Sequence, residues 1–219
     1  MILAALVVVE LFTSQGCSSC PPADALISKL AQTRGQVIPL AYHVDYWDRL
    51  GWRDPFSSRE ATARQMMYVH SFGLNGAYTP QAVVNGSKQF VGSSSSSMNA
   101  AIEQATRAKP VGSIALNVAR AGAAIRGSIR AEAPPNSEVV VVLFEDGVTT
   151  QIKDGENAGR TVTDDAIVRK IVRVGTGAVT RDFALDANPA WKHLGVVAFV
   201  QDRATLAITA ATVRYLPSS

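Results

Sequence analysis

Cysteine and histidine are scarce in this chain. Its 219 residues include two cysteines, Cys17 and Cys20, and three histidines, His43, His70 and His193. One C-x-x-C pair is not a structural disulfide framework. A structural zinc site takes four ligands, and with no second C-x-x-C an intramolecular one is not expected. Charge of one sign is missing too: 21 Lys and Arg stand against 18 Asp and Glu, and no basic run exceeds Arg169-Lys170. The chain therefore carries no electrostatic footprint for nucleic acid. No apolar stretch is long enough to span a membrane. Neither G-x-S-x-G nor H-E-x-x-H occurs, so hydrolase chemistry has no footing. Asp154 to Thr161, DGENAGRT, looks like a phosphate loop but has short spacing, Arg160 in place of the lysine, and expected strands on both sides. No cofactor is expected.

Hydrophobic residues make up 47% of the chain and charged residues 18%, which suits a substantial core in one large or two small domains. The apolar opening reads as a buried strand, Leu3 to Phe12. No basic residues precede it and no cleavage site follows it, unlike a signal peptide. The stretch Val7 to Pro22, VVVELFTSQGCSSCPP, predicts a strand, a tight turn and a helix beginning at Cys17. Pro21 and Pro22 fit a first helical turn, where amides lack partners anyway. Ala23, Leu26, Ile27, Leu30 and Ala31 recur at helical spacing, and Gly35 is expected to close the helix. This geometry puts the Cys17 thiol at the positive end of a helix dipole, which favours a thiolate.

Gln36 to Tyr46 predicts a second strand, parallel to the first, with Pro39 arguing for an edge position or a late start. Trp47 to Pro55 reads as an ordered loop. A capping box at Ser57-x-x-Glu60 starts a helix that reaches about His70. Thr79-Pro80 precedes a hairpin, Gln81–Val84 and Lys88–Val91, turned by Asn85-Gly86. Ser97 is the expected cap of a helix reaching about Ala108. From Val111 onward short alternating strands and turns predict an antiparallel sandwich or barrel. The expectation is an α/β half over residues 1–109 and an all-β, antiparallel, sandwich-like half over residues 110–219.

A β-α-β unit, a helix, then β-β-α, with C-x-x-C at the first helix and Thr-Pro before the hairpin, resembles the thioredoxin fold. In that fold the proline is cis and packs beside the cysteines, so the resemblance gives Pro80 this place. More narrowly, VVVELFTSQGCSSCPPAD, YHVDYWDRLGWRDPFSSREATARQ, YTPQAVVNG and ENAGRTVTDD resemble the bacterial domain of unknown function 1223 family, over nearly the whole chain. That resemblance implies a thioredoxin-like protein, periplasmic or secreted, and no particular reaction.

Cys17 is the candidate attacking thiol and Cys20 the resolving thiol, with a protein or small-molecule thiol or disulfide as partner. The alternative is a non-catalytic binding module, in which the same thiols hold copper(I) or the fold docks a protein. Glu10 resembles the buried acid that moves protons to the resolving cysteine in thioredoxins, although its connection to the first cysteine is one residue longer. Burial would raise its pKa; the competing reading pairs it with an arginine or turns it to a polar edge. Thr79, His43 and Trp47 are candidates for substrate contact. Asp45 and Asp48 either join His43 in a polar wall beside the thiols that binds a substrate or pair with Arg49 or Arg53 and fix the loop. Trp47, Trp52 and Phe56 form either a groove rim or a small core. The loop 154–161 is expected to reach over the first half and shape access to Cys17.

Overall fold

The computed structural model describes residues 6–217; Leu3–Ala5 of the expected first strand lie outside the described residues. The first stretch contains β1 (Val7–Thr13), α1 (Pro21–Thr33), β2 (Val37–His43), a 3₁₀ turn (Asp45–Leu50) and α2 (Arg59–Ser71), followed by β3 (Gln81–Val84), β4 (Lys88–Val91) and α3 (Ser95–Thr106). The second contains β5 (Ser113–Ala121), β6 (Ala124–Glu132), β7 (Ser137–Glu145), β8 (Val148–Gln151) and β9 (Thr161–Asp164), then β10 (Ile167–Thr176), β11 (Val179–Asp186), β12 (Leu194–Asp202) and β13 (Ile208–Tyr215). The result is mostly β, with few helices.

One mixed sheet of eight strands runs through the molecule in the order β13-β12-β7-β10-β2-β1-β3-β4. β1 and β2 are parallel, with Val7 opposite Val37 and Thr13 opposite His43. β10 joins β2 at Ile167 and Ala41, so strands from both sides of the 107–112 linker share one sheet. They also share a core: Val8, Leu40 and Ala82 belong to the same cluster as Val140, Val142, Val197 and Phe199. A second sheet, β11-β6-β5, buries Leu116, Ile125, Ile129 and Leu185 against Val139, Val141 and Val196 of β7 and β12.

β2 is an interior strand, not the edge strand that Pro39 suggested. Pro39 is tolerated because β2 meets β10 only near Ala41, whose amide donates to Ala166 O at 2.7 Å. The first helix starts at Pro21 rather than Cys17; Cys17 and Cys20 close a separate turn, Cys20 N–H to Cys17 O at 3.2 Å. Arg34, left-handed at φ 43°, ends α1 in place of Gly35. The serine runs shift two caps. Ser58, not Ser57, caps α2 by accepting from the Ala61 amide, and Ser94, not Ser97, caps α3. The Asn85-Gly86 turn forms as expected. Gly86 is required there: a Cβ would lie 1.9 Å from Leu206 O. β8 and β9 flank the 154–161 loop as a hairpin.

Candidate active site

Cys17 and Cys20 lie at disulfide distance, with Sγ–Sγ 2.20 Å and Cα–Cα 5.4 Å. Both are buried, while Ser18 and Ser19 between them face solvent. The turn is entered through Ser14-Gln15-Gly16. Ser14 organises it, accepting the Gly16 amide on Oγ (3.1 Å) and the Cys17 amide on its carbonyl (3.1 Å). Thr79 Oγ1 donates to Cys17 Sγ at 3.3 Å and itself receives the Trp47 indole N–H at 2.9 Å. Its proton is thereby aimed at the sulfur. Ser19 Oγ lies 3.4 Å from Cys17 Sγ and from Thr79 O. The Thr79–Pro80 peptide is cis. Thus Cys17, Cys20, Thr79, Pro80 and Trp47 meet in one place.

The loop between β8 and β9 closes the other side. Asn157, 2% exposed, donates from Nδ2 to the carbonyls of Gln15 and Cys17, both at 2.9 Å. Its neighbour Glu156 accepts the Ser18 amide at 3.0 Å, and that hydrogen bonding holds its carboxyl below the usual range. Gly155, at φ 76°, packs against Trp52; a Cβ there would stand 3.0 Å from Trp52 Cβ. The expected reach of this loop to Cys17 is what the contacts show.

Behind the turn lies a buried polar cluster. His43 Nδ1 meets Asp54 Oδ2 at 2.8 Å, and each residue is only 2% exposed. Burial alone would lower the His43 pKa, but the charge and hydrogen bond of Asp54, helped by Asp164 and Asp24, lift it from 6.5 to about 9. Burial works against the Asp54 charge as well, yet His43 and the Gln15 and Phe56 amides hold its pKa below the usual value. Gln15 bridges outward, donating its amide to Asp54 (2.8 Å) and its Nε2 to Asp164 (2.7 Å), while Trp52 Nε1 donates to its Oε1 (3.1 Å). His43 is thus one layer behind the sulfurs, with Phe56 edge-on to its ring at 5.3 Å. Trp52 and Phe56 buttress this cluster, and Trp47 packs on the main core while touching Thr79.

Asp45 and Asp48 fix the loop through different partners from those expected. Asp45 accepts from Thr62 Oγ1 (2.6 Å); Asp48 accepts from Ser57 Oγ (2.8 Å) and the Asp54 amide (3.2 Å). Short hydroxyls, Thr62 in the first turns of α2 and Ser57 just before it, take the places offered to Arg49 and Arg53.

Glu10 is buried but lies away from the cysteines. It forms an ion pair with Arg64 and accepts from Tyr68 Oη, both on α2, and Gln201 of β12 completes the group by bonding Arg64 and Tyr68. Its place on β1 explains this. Side chains alternate across a strand, so neighbouring residues take opposite faces. Leu11 and Thr13 face the α1 side, where Thr13 Oγ1 donates to Asp24 at 2.6 Å, while Glu10 and Phe12 face α2.

Residues 8–201 match the family model described as "Protein of unknown function (DUF1223)". The chain belongs to the DUF1223 family. Similar solved structures include a protein of Agrobacterium tumefaciens, at 31% identity and TM-score 0.72, covering 96% of this chain and 94% of that one. HBP35 of Porphyromonas gingivalis shares the fold at TM-score 0.70 and 13% identity, covering 97% of this chain and 76% of that one. Among curated proteins, none matches in sequence.

In this DUF1223 chain, Asp24 is the acid that sequence reasoning passed over. It lies one helical turn beyond Cys20, its amide donating to Cys20 O at 3.1 Å, and it opens on a cleft of about 390 Å³ shared with Gln15, Asn157 and Asp164. Burial raises its pKa from 3.8 to about 7 against the opposing hydrogen bond from Thr13. An Asp in the first turn of a helix ordinarily serves the dipole, so nothing in the sequence marked it. Asn157 and Gln15 carried no signal beyond their place in conspicuous loops. Among the described residues, no group of three or more His, Cys, Asp or Glu is arranged to hold a metal ion.

Proposed function

We propose that this DUF1223 chain is a thiol–disulfide oxidoreductase built on a thioredoxin-like first half, with the second half a sandwich-like unit joined to it through the shared sheet. The observation that carries the proposal is the Thr79 hydroxyl aimed at Cys17 Sγ, oriented by Trp47, beside a cysteine pair at disulfide distance. A hydroxyl donor at the sulfur favours the thiolate, the form that attacks a disulfide. Cys17 is the attacking thiol and Cys20 the resolving one. Asp24 replaces Glu10 as the acid on the cysteine side of β1, and its pKa near 7 suits it to take up and return protons. Because both sulfurs are buried, a partner approaches over Ser18 and Ser19 and displaces part of the rim. The family resemblance extends the proposal to a periplasmic or secreted setting, which fractionation of the natural host tests.

Reduced protein is expected to form its disulfide on mixing with glutathione disulfide. Cys17→Ser should abolish this reaction, and Cys20→Ser should accumulate a mixed disulfide on Cys17. A wild type that exchanges with neither glutathione nor dithiothreitol would overturn the proposal. Tight, stoichiometric copper(I) binding without exchange, lost in the Cys17/Cys20 double variant, would favour a binding module.

A further inference from the structure

We infer that Glu156, carried against the cysteine turn by the β8–β9 loop, disfavours the Cys17 thiolate and biases the Cys17–Cys20 pair toward donating electrons to partner disulfides. This inference rests on the thiol–disulfide reading and adds what that reading leaves open.

Three features of the geometry support it. Glu156 accepts the backbone N–H of Ser18, the residue directly after Cys17. The Ser18 amide belongs to the turn that carries Cys17, where a free N–H favours a thiolate, and Glu156 both occupies it and adds negative charge next to it. The carboxylate is also held in place. Asn157 is anchored by two bonds to the turn, Gly155 is seated on Trp52, and the loop is closed at its base by Gly159 N–H to Ile152 O and Ile152 N–H to Arg160 O, both 2.9 Å. Finally, Glu156 has no ion-pair partner among the described residues, whereas His43 and Asp54 behind the turn offset each other.

A negative charge here disfavours the Cys17 thiolate and so destabilises the reduced pair relative to the disulfide. Pairs whose reduced form is specially stabilised are oxidants; withholding that stabilisation gives a reductant. The expected reaction begins when the Cys17 thiolate attacks a partner disulfide, R–S–S–R′, forming Cys17–S–S–R and releasing R′S⁻, which takes a proton. Cys20, after losing its proton, attacks Cys17 Sγ and releases RS⁻. Two electrons pass to the partner, and the pair ends as the disulfide described here. A dithiol reductant restores it.

Glu156→Gln keeps an acceptor for the Ser18 amide and removes only the charge. It should lower the Cys17 pKa, read from thiolate absorbance in the reduced protein, by about half a unit to one unit. It should also shift the equilibrium with glutathione about threefold to tenfold toward the dithiol, a tenfold change being about 30 mV. Glu156→Lys should move both quantities further in the same direction. Unchanged pKa and unchanged equilibrium in both variants would overturn the inference, as would a shift of opposite sign. These readouts separate it from the underlying reading. A wild type that equilibrates with glutathione while the variants match it sinks only the role of Glu156. A wild type that never equilibrates sinks the oxidoreductase reading itself.

Discussion

Two buried polar groups sit on opposite faces of β1, and they are built differently. On the α2 face, Glu10, Arg64, Tyr68 and Gln201 bond to one another in a dry setting, with Arg64 stacked over Tyr42, Tyr68 and Phe199. On the cysteine face, His43, Asp54, Gln15, Asp164 and Asp24 are linked but leave loose ends. Among the described residues, His43 Nε2 and Asn157 Oδ1 have no partner here, as Tyr42 Oη has none on the α2 face, and the carboxyls of Asp24 and Asp164 open on a cleft. A closed group of matched charges holds elements together. A group with spare capacity, in which the Asp24 pKa is raised to about 7, can move protons. Of the two readings of Glu10, the structure shows the pairing with an arginine.

The strongest way to break this contrast is at Arg64. Arg64→Met should leave Glu10 as an unpaired buried charge and cost about 3–5 kcal/mol in urea denaturation, whereas Glu10→Met with Arg64→Met should recover most of the loss. Disulfide exchange by the refolded double variant should match wild type; a large drop would return Glu10 to the chemistry. Next is Asn157→Ala, which strips two buried carbonyls of their donor. It should cost about 1–3 kcal/mol and slow or derange exchange at Cys17, as followed by stopped-flow mixing with glutathione disulfide.

Third in size is a pH effect. His43 has a folded pKa raised to about 9 from 6.5, so its pairing with Asp54 contributes fully below pH 6.5 and is lost as pH rises through 9. Unfolding measured across pH 6 to 10 should show declining stability in the wild type and a flatter profile in His43→Gln. A second pH effect, of similar size, is expected at Asp24. Its folded pKa is raised from 3.8 to about 7, so its ionisation works against the folded state as pH climbs between those values. Asp24→Asn should remove that decline and also remove an inflection near pH 7 from the exchange rate. An inflection that persists in Asp24→Asn would assign the proton transfer elsewhere.

Much of the frame was legible because it is written in local chemistry. Asn85-Gly86 demands its turn, Pro21-Pro22 demands a helix start, and the alternation in β5 and β6 and the apolar runs of β7 and β12 demand strands. The caps slipped because neighbouring serines offer several equivalent hydroxyls. Of the two readings of Glu10, the pairing with an arginine holds, because strand alternation turns it to the α2 face where Arg64 lies. The joining of β10 to β2 could not be read at all. It depends on one long-range pairing, Ile167 with Ala41, which leaves no local mark. The cysteines, Thr79, Pro80 and Trp47 were visible as site residues. Asn157 and Asp24 became visible only when distant elements were brought together.

The Asn157 bond to Cys17 O spans 140 positions of sequence. A ribosome adds about 5–20 residues each second, so the cysteine turn exists for roughly 7–30 s before its clamp has been made. During that interval the two thiols belong to a nascent chain whose turn is unsecured and whose β2 edge still waits for β10. The finished site is an assembly of early and late chain, and any cysteine chemistry that occurs before residue 157 emerges takes place on a different object from the one that later works.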